Sequence, residues 1–347
     1  MRTSAPAICS ALASLLLACA SSSGGTSTTD ADTATSADGS STGGTDEAST
    51  GGDGDAESSG DGDGGGDGDG DAVSDGLPAG VFGGGPFYHD ADTVLPRMKT
   101  SGFNTVILWT IHVELNGDLI LNDVPLVSNG EWIADPAWPA KVENLKVAPS
   151  TVTRVEIGVG SYGVPDFERI RTIIQEQGTG PDSILYQNFA VLKEQMPSVD
   201  AINFDDESAY DVEPTVQFSL MLGDLGYKIS LVPYQSSNFW VELYETVNTQ
   251  VPGLIDRVML QVYAGGANNQ PAQWNPLFYG LDIEVGLWSK HGSGCTQGDS
   301  PEQVQAKLES YGADSKGGWM WLLDDMLACE SAHTLEDYAT AIHAVYD

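Results

Sequence analysis

Strand and helix signals alternate from Gly80 to the C-terminus, and that alternation constrains the fold more than any other feature of the chain. Apolar, β-branched runs occur at Val81-Phe82, Thr105 to Trp109, Val152 to Val159, Ala201 to Phe204, Ile229 to Val232, Val258 to Tyr263, Ile283 to Trp288 and Trp319 to Leu323. Between them lie segments of helical pattern: Thr93 to Met98, Ala140 to Leu145, Asp166 to Glu176, Ser183 to Gln195, Val216 to Leu225, Phe239 to Val247 and Pro301 to Tyr311. Leu335 to Tyr346 closes the chain. Repeated βα units pair in parallel, and eight of them predict an α/β fold closed into a (β/α)8 TIM barrel. An open doubly wound sheet is the alternative. The sixth crossover is the weakest, because Asn268 to Tyr279 shows little helical pattern. One departure follows the second strand, where Asn116-Gly117 and Asn129-Gly130 are hairpin turn signals between alternating apolar residues. They predict a small antiparallel excursion from Ile111 to Trp132. Loops after barrel strands build the functional face, so this excursion is expected to wall one side of a cleft.

The barrel occupies residues 79–347, a length typical of that fold. What precedes it is of another kind. Residues 1–19 start with Arg2, continue as an apolar run to Leu17 and end Leu16-Leu17-Ala18-Cys19. This pattern resembles a bacterial lipoprotein signal, in which Cys19 becomes the lipidated first residue of the mature protein. The run is too short to span a membrane as a helix. Ala20 rather than Asp follows the cysteine, which by the same resemblance implies export to the outer membrane. Residues 20–78 are Gly, Ser, Thr, Asp and Ala with acidic residues and neither Lys nor Arg, so they are expected to be a disordered tether. The Asp-Gly repeats from Asp61 to Asp71 lack the terminal Glu and flanking helices of a helix-loop-helix calcium site.

The formal net charge of −36 argues against nucleic acid or an anionic lipid surface as partner, so any membrane contact is expected through the anchor alone. Of the four cysteines, Cys9 leaves with the signal and Cys19 is acylated, which leaves Cys295 and Cys329. An even pair in an exported domain predicts one disulfide, placed between the loops after strands seven and eight. The five histidines, His89, His112, His291, His333 and His343, show no metal-ligand spacing, and no cofactor is expected. Ser161 and Ser293 lack the strand-turn-helix serine motif, and no phosphate loop is present.

The chemistry gathers at Asp200-Ala201-Ile202-Asn203-Phe204-Asp205-Asp206-Glu207. Side chains alternate along a strand, so Asn203, Asp205 and Glu207 face one way and Ile202, Phe204 and Asp206 the other. Two carboxyl groups stacked on one face oppose each other's ionisation. With partial burial, that predicts a protonated Glu207 serving as general acid beside a charged Asp205. Acidic clusters on strands also arise as surface charge or as metal sites.

The spacing Asp-x-x-Asn-x-Asp-x-Glu resembles the Asp-x-x-Asp-x-Asp-x-Glu signature of glycoside hydrolase family 18, the chitinases and endo-β-N-acetylglucosaminidases. Its Phe-Asp-Asp-Glu ending is most similar to the second branch. Three further stretches resemble the family in order along the chain. Gly158-Val159-Gly160-Ser161-Tyr162-Gly163 stands where the family's third strand ends in Ser-x-Gly-Gly. Met259-Leu260-Gln261-Val262-Tyr263 ends the sixth strand with the family's tyrosine, and Gly317-Gly318-Trp319-Met320-Trp321 resembles the eighth with its tryptophan floor. The resemblance implies a retaining, substrate-assisted glycosidase acting as a monomer on β-1,4 linkages at N-acetylglucosamine in a glycan. Glu207 would be the proton donor, with Asp205 and Tyr263 orienting the substrate's acetamido group. Asn203, Gln261, Trp321, Gly160 and Ser161 would line the substrate. Asn203 replaces a family Asp; its amide is expected to donate a hydrogen bond to Asp205 but cannot exchange a proton. A carbohydrate-binding protein on the same barrel is the competing class, and Glu207, which family lectins usually lack, favours the enzyme.

Overall fold

The computed structural model describes residues 77–347; the signal, Cys19 and nearly all of the tether lie outside the described residues. Eleven strands are formed among the described residues: β1 Ala79–Gly83, β2 Thr105–Val113, β3 Leu119–Leu121, β4 Val124–Ser128, β5 Glu131–Trp132, β6 Arg154–Val159, β7 Ala201–Phe204, β8 Lys228–Leu231, β9 Ile255–Gln261, β10 Ile283–Trp288 and β11 Gly318–Trp321. Their order is β1-β11-β10-β9-β8-β7-β6-β2-β3-β4-β5, with a further β1–β2 pairing. Every pairing among β1, β2 and β6 to β11 is parallel, and the β1–β2 and β1–β11 ladders close the ring. This is the eight-stranded TIM barrel expected, and the open sheet is excluded.

The helices are α1 Pro86–His89, α2 Ala91–Met98, α3 Trp138–Glu143, α4 Asp166–Gln177, α5 Ile184–Gln195, α6 Val212–Asp224, α7 Ser237–Gln250, α8 Pro271–Trp274, α9 Pro301–Tyr311, α10 Leu323–Ala328 and α11 Leu335–Tyr346. Their starts follow local chemistry. Ser300 and Gln303 form a capping box on α9, and Thr334 and Asp337 form one on α11, satisfying orphan backbone donors at each N-terminus. The sixth crossover holds only the four-residue α8 between two 3₁₀ turns, as its weak periodicity implied.

The excursion after β2 is real. The upper end of β2 pairs antiparallel with β3, β3 with β4, and β4 with β5. It leans on α5: Asn188 donates from Nδ2 to the Gly117 carbonyl at 2.6 Å and accepts from the Gly130 N–H at 2.7 Å. The Asn122 Nδ2 donates to the Trp109 carbonyl at 2.7 Å, fastening the β3–β4 turn to the rim of the barrel.

Two apolar clusters hold the fold. The larger fills the space between strands and helices, with Phe189 and Phe204 each packed on Phe218. The smaller lies inside the barrel and comprises Phe82, Ile107, Val232, Met259 and Trp319. Trp319 lies across the ring above Gly286, where an added Cβ would come within 2.1 Å of the indole, so glycine is required there. Below this layer, at the N-terminal ends of the strands, Arg154, Glu156, Ser230, Asp256, Arg257 and Glu284 form a polar network. Side chains thus fill the barrel in layers rather than leaving a pore.

A disulfide joins Cys295, in the loop after β10, to Cys329 at the end of α10, across 34 residues of sequence. In the chain-entropy model a loop of this length contributes roughly 3–4 kcal/mol. Replacing both cysteines by Ser is expected to lower the urea midpoint accordingly, and an unchanged midpoint would contradict the loop-closure account.

Candidate active site

β7 ends abruptly because Asp206 turns away from the barrel axis and caps the backbone beyond it. Its carboxylate accepts from the N–H groups of Ser208, Ala209 and Tyr210 at 2.8 to 3.0 Å. This local side-chain-to-backbone capture breaks the strand and fixes where Glu207 leaves it. Asp205, 4% exposed, stays inside the ring.

Both oxygens of Asp205 are held. The indole Nε1 of Trp109 donates to Oδ2 at 3.3 Å, and the Gln261 Nε2 donates to Oδ1 at 3.1 Å while also reaching the Val232 carbonyl at 3.2 Å. Just beyond β6, Gly160 approaches from the side at φ +97°, where an added Cβ would stand 2.5 Å from the Asp205 carbonyl oxygen. Only glycine allows that approach. Ser161 follows it and is buried.

Burial pushes Glu207 up to about 7, and the neighbouring charge of Asp206 adds to the rise against an opposing hydrogen bond from Tyr234. Burial, and then the charge of Glu207, push Asp205 well above the usual carboxylate range, against the donors Trp109 and Gln261. Burial thus disfavours the charge of both carboxyls, and they titrate as a pair. Burial, followed by the charges of Asp205 and Glu207, pushes the Tyr263 hydroxyl well above its ordinary value, so it remains a donor.

An aromatic floor surrounds the pair. The Trp321 ring lies edge-on to Trp109 at 4.8 Å and nearly parallel to Tyr263 at 6.1 Å, and Trp288 meets the edge of Tyr263 at 5.9 Å. Trp109, Tyr263 and Trp321 are half-buried, whereas Trp319 is 1% exposed and belongs to the core. Trp321 is therefore the tryptophan of its strand that can meet a ligand. Such rings present apolar faces suited to stacking on the C–H surface of a sugar.

The structure brings Glu207, Asp205, Tyr263 and Trp321 together at the C-terminal ends of the strands, where TIM barrels carry their sites. Gln261 and Gly160 contact Asp205 and set its position, and Asn203 is fully buried within β7. The Asn203 amide does not donate to Asp205: its Nδ2 donates to Glu156 Oε2 at 2.9 Å and lies 3.3 Å from the Met259 sulfur. Sequence reasoning missed Trp109, Tyr234 and Glu156. Trp109 carried a signal, since it lies in the second strand on the alternation that turns Thr105 and Ile107 inward. Glu156 carried one too, as a carboxylate between the apolar Val155 and Ile157 of a strand run.

No family model and no curated protein matches the chain at the level of sequence. Solved structures do match the barrel. A group IV chitinase of Ostrinia furnacalis superposes with a TM-score of 0.53 at 11% identity, covering 78% of this chain and 99% of the chitinase. A chitinase of Bacteroides thetaiotaomicron gives 0.51 at 11% identity, covering 78% and 96%. The spore cortex-lytic enzyme SleL of Bacillus cereus gives 0.50 at 9% identity, covering 77% and 74%. The described chain therefore shares its barrel fold with these proteins. Identities this low speak to the fold, and activity is a separate matter.

Proposed function

We propose that the protein is a retaining, substrate-assisted glycosidase that cleaves β-1,4 linkages at N-acetylglucosamine, of the chitinase or endo-β-N-acetylglucosaminidase type. The observation that carries this reading is the carboxyl pair at the end of β7: Glu207 raised to about 7 beside a clamped Asp205, under an aromatic floor. An acid poised near neutral pH is what leaving-group protonation requires. Glu207 gives its proton to the glycosidic oxygen as the bond to the anomeric carbon breaks. The substrate's acetamido oxygen bonds to that carbon and closes a five-membered ring, an exception to the two-carboxylate scheme of most glycosidases. Asp205 takes up the charge developing on the acetamido nitrogen, and Tyr263 donates to the acetamido group. Glu207, now ionised, draws a proton from water as the water opens the ring, which restores the enzyme with retained configuration. No step calls for a cofactor.

Release of reducing ends from chitin oligomers, measured beside glycan release from a high-mannose glycoprotein, tests this activity. Cleavage of one substrate at retained configuration is the expected result. Binding of the oligomers with no cleavage of either would replace the enzyme by a lectin-like protein on the same barrel.

The chain is proposed to work at the cell envelope, held by a lipid on Cys19 and acting as a monomer. The support is the Leu16-Leu17-Ala18-Cys19 ending and the acidic Gly/Ser-rich stretch that follows it. Cys19→Ser is expected to move the protein from the membrane fraction to the soluble one with thermal unfolding unchanged, and continued membrane association would remove the anchor.

A further inference from the structure

The chain carries 14 Lys and Arg against 50 Asp and Glu, so a place where cations outnumber carboxylates calls for an explanation. One such place lies at the end of the barrel opposite Glu207. There the starts of β6, β8 and β9, with the end of α5 and the residues just before β2 and β7, line a cavity of about 490 Å³. Its lining includes Arg154, Lys193, Lys228 and Arg257 but only two carboxylates, Asp200 and Asp256. Both carboxylates are already engaged. Asp256 takes the two arms of the Arg154 guanidinium at 2.8 Å each, and Arg154 is further paired with Glu156. Asp200 holds Lys146, whose Nζ reaches its two oxygens at 2.7 and 2.8 Å. The positive charge left over sits on Lys193, Lys228 and Arg257. Lys193 donates to the Val199 carbonyl at 2.6 Å and Lys228 to the Gly253 carbonyl at 2.7 Å, and neither forms an ion pair among the described residues. A lysine ammonium has three donors, so each keeps two for a further acceptor. Arg257 gives Nη1 to the Thr105 hydroxyl at 3.0 Å, and its counter-charge, Glu284, stands 3.5 Å away. Burial raises Glu284 to about 7, so that counter-charge is incomplete at neutral pH. Burial also holds the Lys193 ammonium below its ordinary value, with Lys146 repelling it and Asp200 working against both.

We infer that this cavity is an anion site for a phosphate group, free or carried on a small organic molecule. A phosphate group brings about −1.5 to −2 charges near pH 7 and three strong acceptor oxygens. That suits surplus cations arriving from α5, β8 and β9, whereas a lone carboxylate offers one charge and two oxygens. The ligand is compact rather than polymeric. The overall charge of −36 repels a long polyanion, but screening over ~8 Å at physiological ionic strength leaves a small anion in the cavity governed by the cations around it. The starts of barrel strands serve stability rather than chemistry. A bound anion ties α5, β8 and β9 together there and favours the folded state, which alone holds these cations in place. The site is independent of the carboxyl pair at the other end of the barrel and of any activity proposed for it.

Calorimetric titration of the full chain with inorganic phosphate and, separately, with glycerol 3-phosphate tests this, in chloride buffer at constant ionic strength. Saturable binding is expected, and the tighter of the two ligands tells a free ion from an ester. Lys193→Met combined with Lys228→Met keeps both stems and removes both charges. Binding should weaken at least ~10-fold, the scale of losing charge-assisted hydrogen bonds. Lys307→Met is the control for lost positive charge: Lys307 pairs with Asp299, beyond β10 and away from the cavity, so its loss should leave binding unchanged. Thermal unfolding gives a second readout. Phosphate should raise the wild-type midpoint more than chloride of equal ionic strength does, and that excess should vanish in the double variant. The general stabilisation of proteins by phosphate acts on both alike and cancels in the comparison. Absence of saturable binding overturns the inference, as do binding and a midpoint shift that survive the double substitution.

Discussion

Glu207→Gln is expected to lower turnover of an N-acetylglucosamine oligomer at least ~10²-fold, the scale of lost general-acid catalysis, while leaving binding of that oligomer nearly unchanged. The amide keeps the shape and polarity of the side chain and removes its proton. The aromatic floor of Trp109, Tyr263 and Trp321 is untouched. The pH profile gives a second readout. The acid form of Glu207, raised by burial to about 7, is the competent one, so wild-type activity should decline as pH rises through about 7. Residual activity in Glu207→Gln should lack that decline. A variant with wild-type turnover would remove Glu207 from the chemistry. Loss of binding together with turnover would show that the substitution had disturbed the cleft rather than the proton.

Arg154→Met is expected to destabilise the barrel by about 3–5 kcal/mol near neutral pH, because removing one partner strands a buried opposite charge. The charge is Glu156, fully buried and ion-paired to Arg154 at 2.6 Å. Such a loss is a large part of the ~5–15 kcal/mol that typically separates folded from unfolded protein. The pH dependence identifies the group responsible. In the wild type the folded-state pKa of Glu156 is lowered, so its contribution is complete above the unfolded value of ~4.3 and is lost as pH falls through the folded one. Without Arg154, burial should raise the folded pKa above the unfolded one. The deficit of the variant should then grow as pH rises above ~4.3 and shrink in acid. Urea unfolding at several pH values measures this. A deficit independent of pH would point to lost packing instead.

The barrel was legible in the sequence because its determinants are local. Runs such as Ile283 to Trp288 match their strand from end to end, since β-branched and apolar residues are bounded by turn residues there. The Asn-Gly pairs announced the hairpins for the same reason. The carboxylates were legible from alternation, which sets facing without any tertiary information. What was not legible depends on partners from distant strands. Nothing near Asn203 in the sequence tells that its amide serves Glu156, 47 positions earlier. Nor could strand alternation tell that burial raises Asp205 together with Glu207, because desolvation is a property of the closed ring and not of one strand. Trp109 reaches Asp205 from 96 positions away, and only closure of the barrel brings the two into contact.

The hairpin beyond β2 has a bearing on how this protein survives at high local concentration. A closed ring of strands offers no unpaired backbone to a neighbouring molecule, whereas an appended antiparallel extension reopens that exposure. Here the sheet runs outward from β2 through β3 and β4 and terminates in β5, a strand of two residues, Glu131 and Trp132. So short a border, with a carboxylate on one of its two positions, gives an incoming strand almost nothing to pair with. Lengthening β5, or replacing Glu131 with an apolar β-branched residue, would turn a self-limiting sheet into a template for strand-to-strand aggregation.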